Sequence, residues 1–398
     1  MILLSNADVF ESDYSFHNED VLVANGRILA VGIEAKRLFD GTENHEKKQL
    51  DLDGLLLLPG LIDIHIHGCA GFDTCDASQE ALIAMSQHLA QNGVTSFLPT
   101  TMTLPQQELS ETIAAVQTFM RNGQGMAKSL GVHVEGPYLS LKYAGIQSAE
   151  HIRHPSMEEF SRLLHLYPDI IRILDIAPEL PGAGRFIQEM KANCTISFSH
   201  SDADYETAKE SFSLGISHVT HLYNAMRGLA HRDPGAVGAV FTNDYVTAEL
   251  ICDGYHIHPA ALRVAFRMLG EDRSVIVSDS MRAASCPDGV YLLGGQPVTV
   301  KEGRTTGANQ RPAGSVTNIL EEMRNLISFG IPIRQIIKSA TINPARVIGM
   351  DQEIGSISIG KRADLIAVDP EFILQWTMID GAVLPAKNPL VSKFEKKM

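Results

Sequence analysis

Two histidines two residues apart, His65 and His67, stand in the stretch LLLLPGLIDIHIHGC from Leu55 to Cys69. Pro59 and Gly60 end an apolar run, after which Ile62, Ile64 and Ile66 alternate with Asp63, His65 and His67. On an extended strand residues i and i+2 point the same way, so both imidazoles can reach one metal ion at the strand's end; on a helix they diverge. Taken alone, such a pair reads as well as two hydrogen-bonded histidines. Further along, the same residue types recur after β-like runs: Glu135 in SLGVHVEGP, His200 in TISFSHSDA, His221 in SHVTHLYNAM and Asp279 in SVIVSDS. Each by itself is an ordinary loop or cap residue, but six at the same edge of one sheet are a metal centre with an acid/base carboxylate beside it. Imidazoles and carboxylates suit Zn²⁺, Fe²⁺ or Mn²⁺, and a divalent ion lowers the pKa of a bound water from ~15.7 to ~7. Asp279 beside that water would take its proton and pass it to a leaving group. The chemistry is metal-assisted hydrolysis of an amide, ester or imine-like carbon.

Elements must exist to bring these residues together. Between about residues 60 and 280, short β-rich runs alternate with helical periodicity, the signature of a parallel sheet with crossover helices. The pattern predicts strands at Ile62–His67, Val94–Leu98, Leu130–Glu135, Ile171–Ile176, Thr195–Ser199, Ser217–His221, Val246–Cys252 and Ser274–Asp279. A helix is expected over Gln79–Asn92, with Ser78 as N-cap, Leu82, Met85 and Leu89 inward and Gly93 as stop; another runs over Gln106–Arg121 with Leu109, Ile113, Val116 and Met120 inward. Eight such units predict an α/β protein with a (β/α)8 TIM-type barrel, whose active sites lie at the C-terminal ends of the strands. The first fifty-odd residues read as short strands, with Asn25-Gly26 as a hairpin turn, and the chain from about Gly355 reads the same way. The expected organisation is a small β-sandwich domain built from both ends, residues 1–58 and 350–398, around a barrel of residues 59–349.

Composition narrows the function classes. The 398 residues are 44% hydrophobic and 20% charged, as in a globular protein with a sizeable core, and no run approaches the ~18 apolar residues of a membrane helix. A net charge of −14 argues against nucleic acid or an anionic membrane as partner. The N-terminus lacks the basic segment of a signal peptide, so the cytoplasm is the expected compartment. Cys69, Cys75, Cys194, Cys252 and Cys286 show no CxxC spacing and read as reduced thiols. Cys69, two residues past His67, reads as a small buried residue rather than a soft metal ligand.

PGLIDIHIHG, HVEGPY, FSHSDA, HLYNAM, HRDPG, ICDGYH, VSDS, AGSV and GSISIGKRADLIAVD follow one another along nearly the whole chain. Together they resemble the amidohydrolase superfamily and, within it, the N-acetylglucosamine-6-phosphate deacetylases. The resemblance implies removal of the acetyl group from N-acetyl-D-glucosamine 6-phosphate, giving D-glucosamine 6-phosphate and acetate. It implies Glu135, His200 and His221 as principal metal ligands, His65 and His67 as holders of a second ion, and Asp279 as catalytic acid/base. Whether one or two ions bind stays open. It places Asn224, Ala225, Arg232 and His256 on the sugar phosphate and the acetyl carbonyl, with His256 catalytic, and Ile146, Gln147, Ala313 and Gly314 along the sugar. It further implies a homodimer in which Arg232 reaches the phosphate of the neighbouring subunit's substrate.

These assignments are chemically coherent. A phosphate needs backbone N–H groups and a forked guanidinium, and an imidazole donor facing a developing oxyanion contributes ~2.7–4 kcal/mol. Without the resemblance, Arg232 reads as a partner of Asp233, His258 as a helix-start residue and His133 as a histidine packed in the barrel. Tyr138, and Arg311 with Pro312, depart from the family's usual residues and bear on sugar preference, so an N-acetylgalactosamine-6-phosphate deacetylase is the nearest alternative. A cyclic-amide hydrolase bridging two ions with a carbamylated lysine fits less well, since the strand ends show no candidate lysine. A non-catalytic scaffold would be expected to have lost ligands that are all present here.

Overall fold

The computed structural model describes residues 1–43, 47–123, 126–308 and 310–384. The last stretch of the expected C-terminal segment, residues 385–398, therefore lies outside the described residues.

Each predicted core strand is present, followed by a helix. Counting from the first of these units, the strands are β1 (Leu61–Ile66), β2 (Val94–Pro99), β3 (Val132–Tyr138), β4 (Ile171–Ile176), β5 (Thr195–Phe198), β6 (His218–Val219), β7 (Thr247–Leu250) and β8 (Ser274–Ile276). The helices that follow them are α1 (Gln79–Gln91), α2 (Gln106–Asn122), α3 (Met157–Leu166), α4 (Ala183–Met190), α5 (Tyr205–Leu214), α6 (Gly235–Phe241), α7 (Pro259–Arg273) and α8 (Ile319–Ser328). Local chemistry sets their ends. Ser78 Oγ accepts the Ala81 N–H to start α1, and Gly93, at φ 83°, turns the chain into β2. His258 starts α7 as expected, its Nδ1 accepting the Ala260 N–H at 3.1 Å. On α2 the fully buried stripe is Leu109, Ile113, Val116 and Phe119, while Met120 packs only at its edge. A 3.6-residue repeat brings positions 116, 119 and 120 to one side, and the ring at 119 takes the deeper place.

All pairings among these strands are parallel. β1 pairs with β2, and β3 to β8 form a six-stranded sheet in chain order. Backbone hydrogen bonds link the two sheets at both seams: Thr101 N to His133 O at 3.0 Å, Asp279 N to His65 O at 2.9 Å and His67 N to Ser280 O at 2.9 Å. The alternation read in β1 is broken by a bulge, since the register runs from Asp63 opposite Phe97 to Ile66 opposite Pro99, three residues against two. Ile62 and Ile64 accordingly join Leu98, Ile173, Ile251 and Val275 in one apolar cluster. Ile66 falls among the helix-packing residues instead.

The two ends of the chain share one eight-stranded sheet. Strand Leu365–Val368 pairs antiparallel with Leu56–Pro59, which pairs parallel with Ile2–Phe10. The Asn25-Gly26 hairpin is present, both residues at positive φ, 52° and 75°, as a type I′ turn requires. Two elements carry no clear sequence signal. A helix at Ile33–Gly41 covers Leu3, Leu22 and Ala30 of this sheet, where only strands and turns were expected. A three-stranded antiparallel insertion, Gly289–Leu293, Gln296–Lys301 and Arg304–Gly307, follows β8 and contributes Leu293 to the rim of the cavity described below. Among the described residues no helix is long and apolar enough to cross a membrane.

Candidate metal centre and substrate cavity

All six metal-type residues stand on, or within three residues past, the strands β1, β3, β5, β6 and β8, and three of their backbones show the cost of aiming them. His200, His221 and Asp279 adopt left-handed φ of 42°, 31° and 44°, a conformation worth about 1–3 kcal/mol of strain in a non-glycine residue. The geometry they reach is tight. Glu135 Oε1 lies 3.1 Å from His200 Nε2 and 3.0 Å from His221 Nε2, which are 3.2 Å from each other. Glu135 Oε2 lies 3.2 Å from His67 Nε2. Asp279 Oδ1 lies 3.3 Å from His67 Nε2 and 3.5 Å from His65 Nε2, with the two imidazole nitrogens 3.4 Å apart. Glu135 thus bridges one trio, with His200 and His221, to a second of His65, His67 and Asp279.

The outer nitrogens of three imidazoles show which way their lone pairs face. His200 Nδ1 meets Tyr143 O at 2.7 Å, His67 Nδ1 meets Thr100 O at 3.3 Å, and His65 Nδ1 meets the Glu249 carboxylate at 2.8 Å. A carbonyl or carboxylate only accepts, so each Nδ1 carries the proton and each Nε2 presents a lone pair inward. Lone pairs and carboxylate oxygens crowded within 3.0–3.5 Å repel one another unless a cation lies among them. The donor set therefore fits one or two divalent ions. Where no cation lies among them, protons take its place: burial pushes Glu135 and Asp279 up, but the facing imidazoles, charged in that state, outweigh it and hold both below the ordinary carboxylate range. His221 is drawn up to about 9 against its burial by Glu135.

His133 is not simply packed. Its Nδ1 meets Ile64 O at 3.0 Å and its Nε2 meets Asp175 Oδ1 at 2.9 Å, both acceptors, so the ring is a buried imidazolium paired with Asp175 and has no lone pair for a metal. Burial opposes that charge, yet the Asp175 carboxylate draws His133 up to about 9. Cys69 is buried with its Sγ against Met85 O at 3.9 Å, away from the ligand groups.

Above the ligands opens a cavity of ≈ 410 Å³ whose wall includes His67, Glu135, His200, His221 and Asp279. Ile146, Gln147, Asn224, Ala225, His256, Ala313 and Gly314, all expected along the substrate, line it. Arg232 does not; it is exposed, against His231 rather than Asp233. Gln147 serves the ligands as well as the wall, its Nε2 donating to Glu135 Oε2 at 2.7 Å and its Oε1 accepting Thr103 N. Tyr138 lies in the core against Phe186 instead of in the pocket, while Arg311 and Pro312 do face it. Three polar atoms of the wall residues are buried without partners, Asn224 Nδ2, His256 Nε2 and the outer nitrogen of the fourth imidazole, His221 Nδ1. The other nitrogen of His256 is fixed by Asp253 Oδ2 at 2.7 Å, so the unpaired pole is the one available to a ligand.

Sequence reasoning missed the carboxylates that hold the histidines: Glu249, Asp253 and Asp175. Glu249 had a visible signal, an acid inside the apolar run AELIC, because a buried strand does not carry an unpaired charge. Asp175 is an ordinary acid in sequence and acquires His133 only across strands, while Asp253 meets His256 three residues further along the same loop.

The sequence matches the amidohydrolase family over residues 56–386. It is 34% identical over 389 residues to the N-acetylglucosamine-6-phosphate deacetylase of Vibrio furnissii, 96% of each chain. Against the N-acetylgalactosamine-6-phosphate deacetylase of Escherichia coli O157:H7 it is 36% identical over 332 residues, 83% of this chain and 88% of that one. The fold superposes on the crystal structure of N-acetylglucosamine-6-phosphate deacetylase from Pasteurella multocida with a TM-score of 0.88 and 28% identity, covering 96% of this chain and 99% of the other.

Proposed function

The chain belongs to the amidohydrolase family, and we propose that it hydrolyses the acetamide of N-acetyl-D-glucosamine 6-phosphate to D-glucosamine 6-phosphate and acetate. The observation that carries this reading is a single cavity in which a bridged set of metal-type ligands faces two unpaired polar atoms, His256 Nε2 and Asn224 Nδ2. Glu135, His200 and His221 hold a divalent ion, zinc, iron or manganese, and His65, His67 and Asp279 offer a second place. The ion supplies a Lewis acid for the acetyl carbonyl and lowers the pKa of water.

The chain's own residues do the rest. Asp279 Oδ1 accepts the proton of the attacking water and returns it to the departing amine. His256, fixed at Nδ1 by Asp253, donates from Nε2 to the acetyl oxygen as charge builds there. Asn224 and Ala225 hold the phosphate, and Ile146, Gln147, Ala313 and Gly314 flank the sugar. Arg232, exposed and outside its own cavity, serves the phosphate held by the neighbouring subunit of a homodimer. We read the two parallel sheets as one closed (β/α)8 barrel, supported by the hydrogen bonds at both seams. The eight-stranded sheet belongs to a small domain built from residues 1–58 and, among the described residues, 350–384, that folds over its own apolar face as a β-sandwich; Ile28 near one edge and Trp376 near the other share that core. The five free cysteines agree with the reducing cytoplasm as its compartment.

Acetate release from the two epimeric sugar phosphates, with metal supplied, tests the function. Release from the gluco substrate is expected; no release from either overturns the reading. Preference for the galacto epimer would assign the activity named for the E. coli relative instead.

A further inference from the structure

Glu249 lies on β7, behind the metal centre, and is fully buried. Its Oε2 accepts His65 Nδ1 at 2.8 Å and the backbone N–H of His221 at 3.1 Å. Its Oε1 accepts His218 Nε2 at 3.1 Å, and His218 is anchored in turn by Thr247 Oγ1 at 2.6 Å on its other nitrogen. We infer that Glu249 is a positioning residue shared by the two halves of the centre, fixing His65 in one trio through its ring and His221 in the other through its backbone. The inference rests on the metal reading given above.

Two competing roles can be weighed. As a ligand itself, Glu249 would need companions; it groups with His65 and His133. Yet His65 turns a protonated nitrogen towards it and both nitrogens of His133 are committed to Ile64 O and Asp175, so no lone pair is left there to complete a site. As a mere packing element, Glu249 is an expensive choice, because a buried carboxylate costs several kcal/mol unless every oxygen is paired. Here three donors pair it, and two of the three belong to residues that face the ions. A carboxylate behind an imidazole fixes its tautomer and raises its basicity as a ligand, and loss of such a partner typically weakens metal binding ~10–100-fold. The left-handed backbone of His221, at φ 31°, supplies a second reason for a clamp at its N–H.

The test loads the full chain and its Glu249→Gln variant with Zn²⁺ and titrates both against a chromogenic chelator. Glutamine keeps the volume and one acceptor but loses the charge and the second acceptor. A dissociation constant raised ~10–100-fold in the variant is expected; one within twofold of the parent overturns the inference and leaves the proposed function standing. Failure of the parent chain to take up Zn²⁺ overturns the metal reading and this inference with it. Should the variant not fold, NMR of the unmutated Zn²⁺-loaded chain carrying ¹⁵N-histidine decides. His65 protonated at Nδ1 supports the assignment, and an unprotonated Nδ1 overturns it.

Discussion

Replacing Asp279 by Asn removes a charge and a proton carrier while changing almost no volume. The backbone bonds that place the residue, Asp279 N to His65 O at 2.9 Å and Ser315 N to Asp279 O at 2.7 Å, do not involve the side chain. The fold and the cavity should therefore survive. A positioned acid/base group contributes ~10²–10⁴ in rate, or about 2.7–5.5 kcal/mol of barrier. Asp279 is assigned both transfers, from the water and to the amine, so the loss should fall in the upper half of that range. The side chain also faces His65 and His67 at 3.5 and 3.3 Å, and its charge helps hold an ion there. Acetate release must therefore be measured at saturating metal, with bound metal counted in both proteins. The parent's acid limb supplies a second signature. In the metal-loaded protein the nearby cation favours the ionised carboxyl, so activity should persist to mildly acid pH and fall as Asp279 takes a proton. That limb should vanish in the variant. A metal-loaded Asn protein with kcat within tenfold of the parent would refute the role.

Three further outcomes follow from named contacts. His256→Asn should lower kcat ~10²–10³-fold with KM changed far less, because the donor acts on charge that appears only in the transition state; an equal rise in KM alone would count against it. Gly68→Ala should lower the melting temperature and weaken metal binding. The new Cβ would lie 2.2 Å from Phe72 O and 2.9 Å from Arg282 N, both backbone atoms, next to His67, and overpacking of this kind costs about 1–3 kcal/mol; an unchanged melting curve would contradict the stated geometry. Asp364, in the sheet formed by the chain ends, is pushed up from 3.8 to about 6, chiefly by burial. A raised carboxyl gives stability that is complete below about 3.8 and lost as pH rises through about 6, at most about 3 kcal/mol. Asp364→Asn should flatten the pH dependence of the melting temperature between pH 4 and 7, and the same slope in both proteins would exclude this group as its source.

The amino-acid sequence by itself determined the strand-and-helix alternation and the identity of the ligands, because both are written in local terms. Periodicity of 2 and 3.6, caps such as Ser78 and His258, and the Asn25-Gly26 turn act over a few residues. His65, His67, Glu135, His200, His221 and Asp279 were legible because each chemically loaded residue ends a β-like run. What only the tertiary structure decided is what lies behind and beside them. Glu249, marked in sequence only as an acid in an apolar run, and Asp175, an ordinary acid, gain their partners when strands far apart in the chain bring His65 and His133 to their oxygens, and Asp253 gains His256 when the loop after β7 folds back on itself. The bulge that sends Ile66 away from Ile62 and Ile64 depends on the register with β2, and the place of Tyr138 in the core depends on Phe186 of α4. Side-chain type is a property of the chain, whereas the proton on a given imidazole nitrogen depends on which acceptor stands opposite it, and only the folded packing sets that.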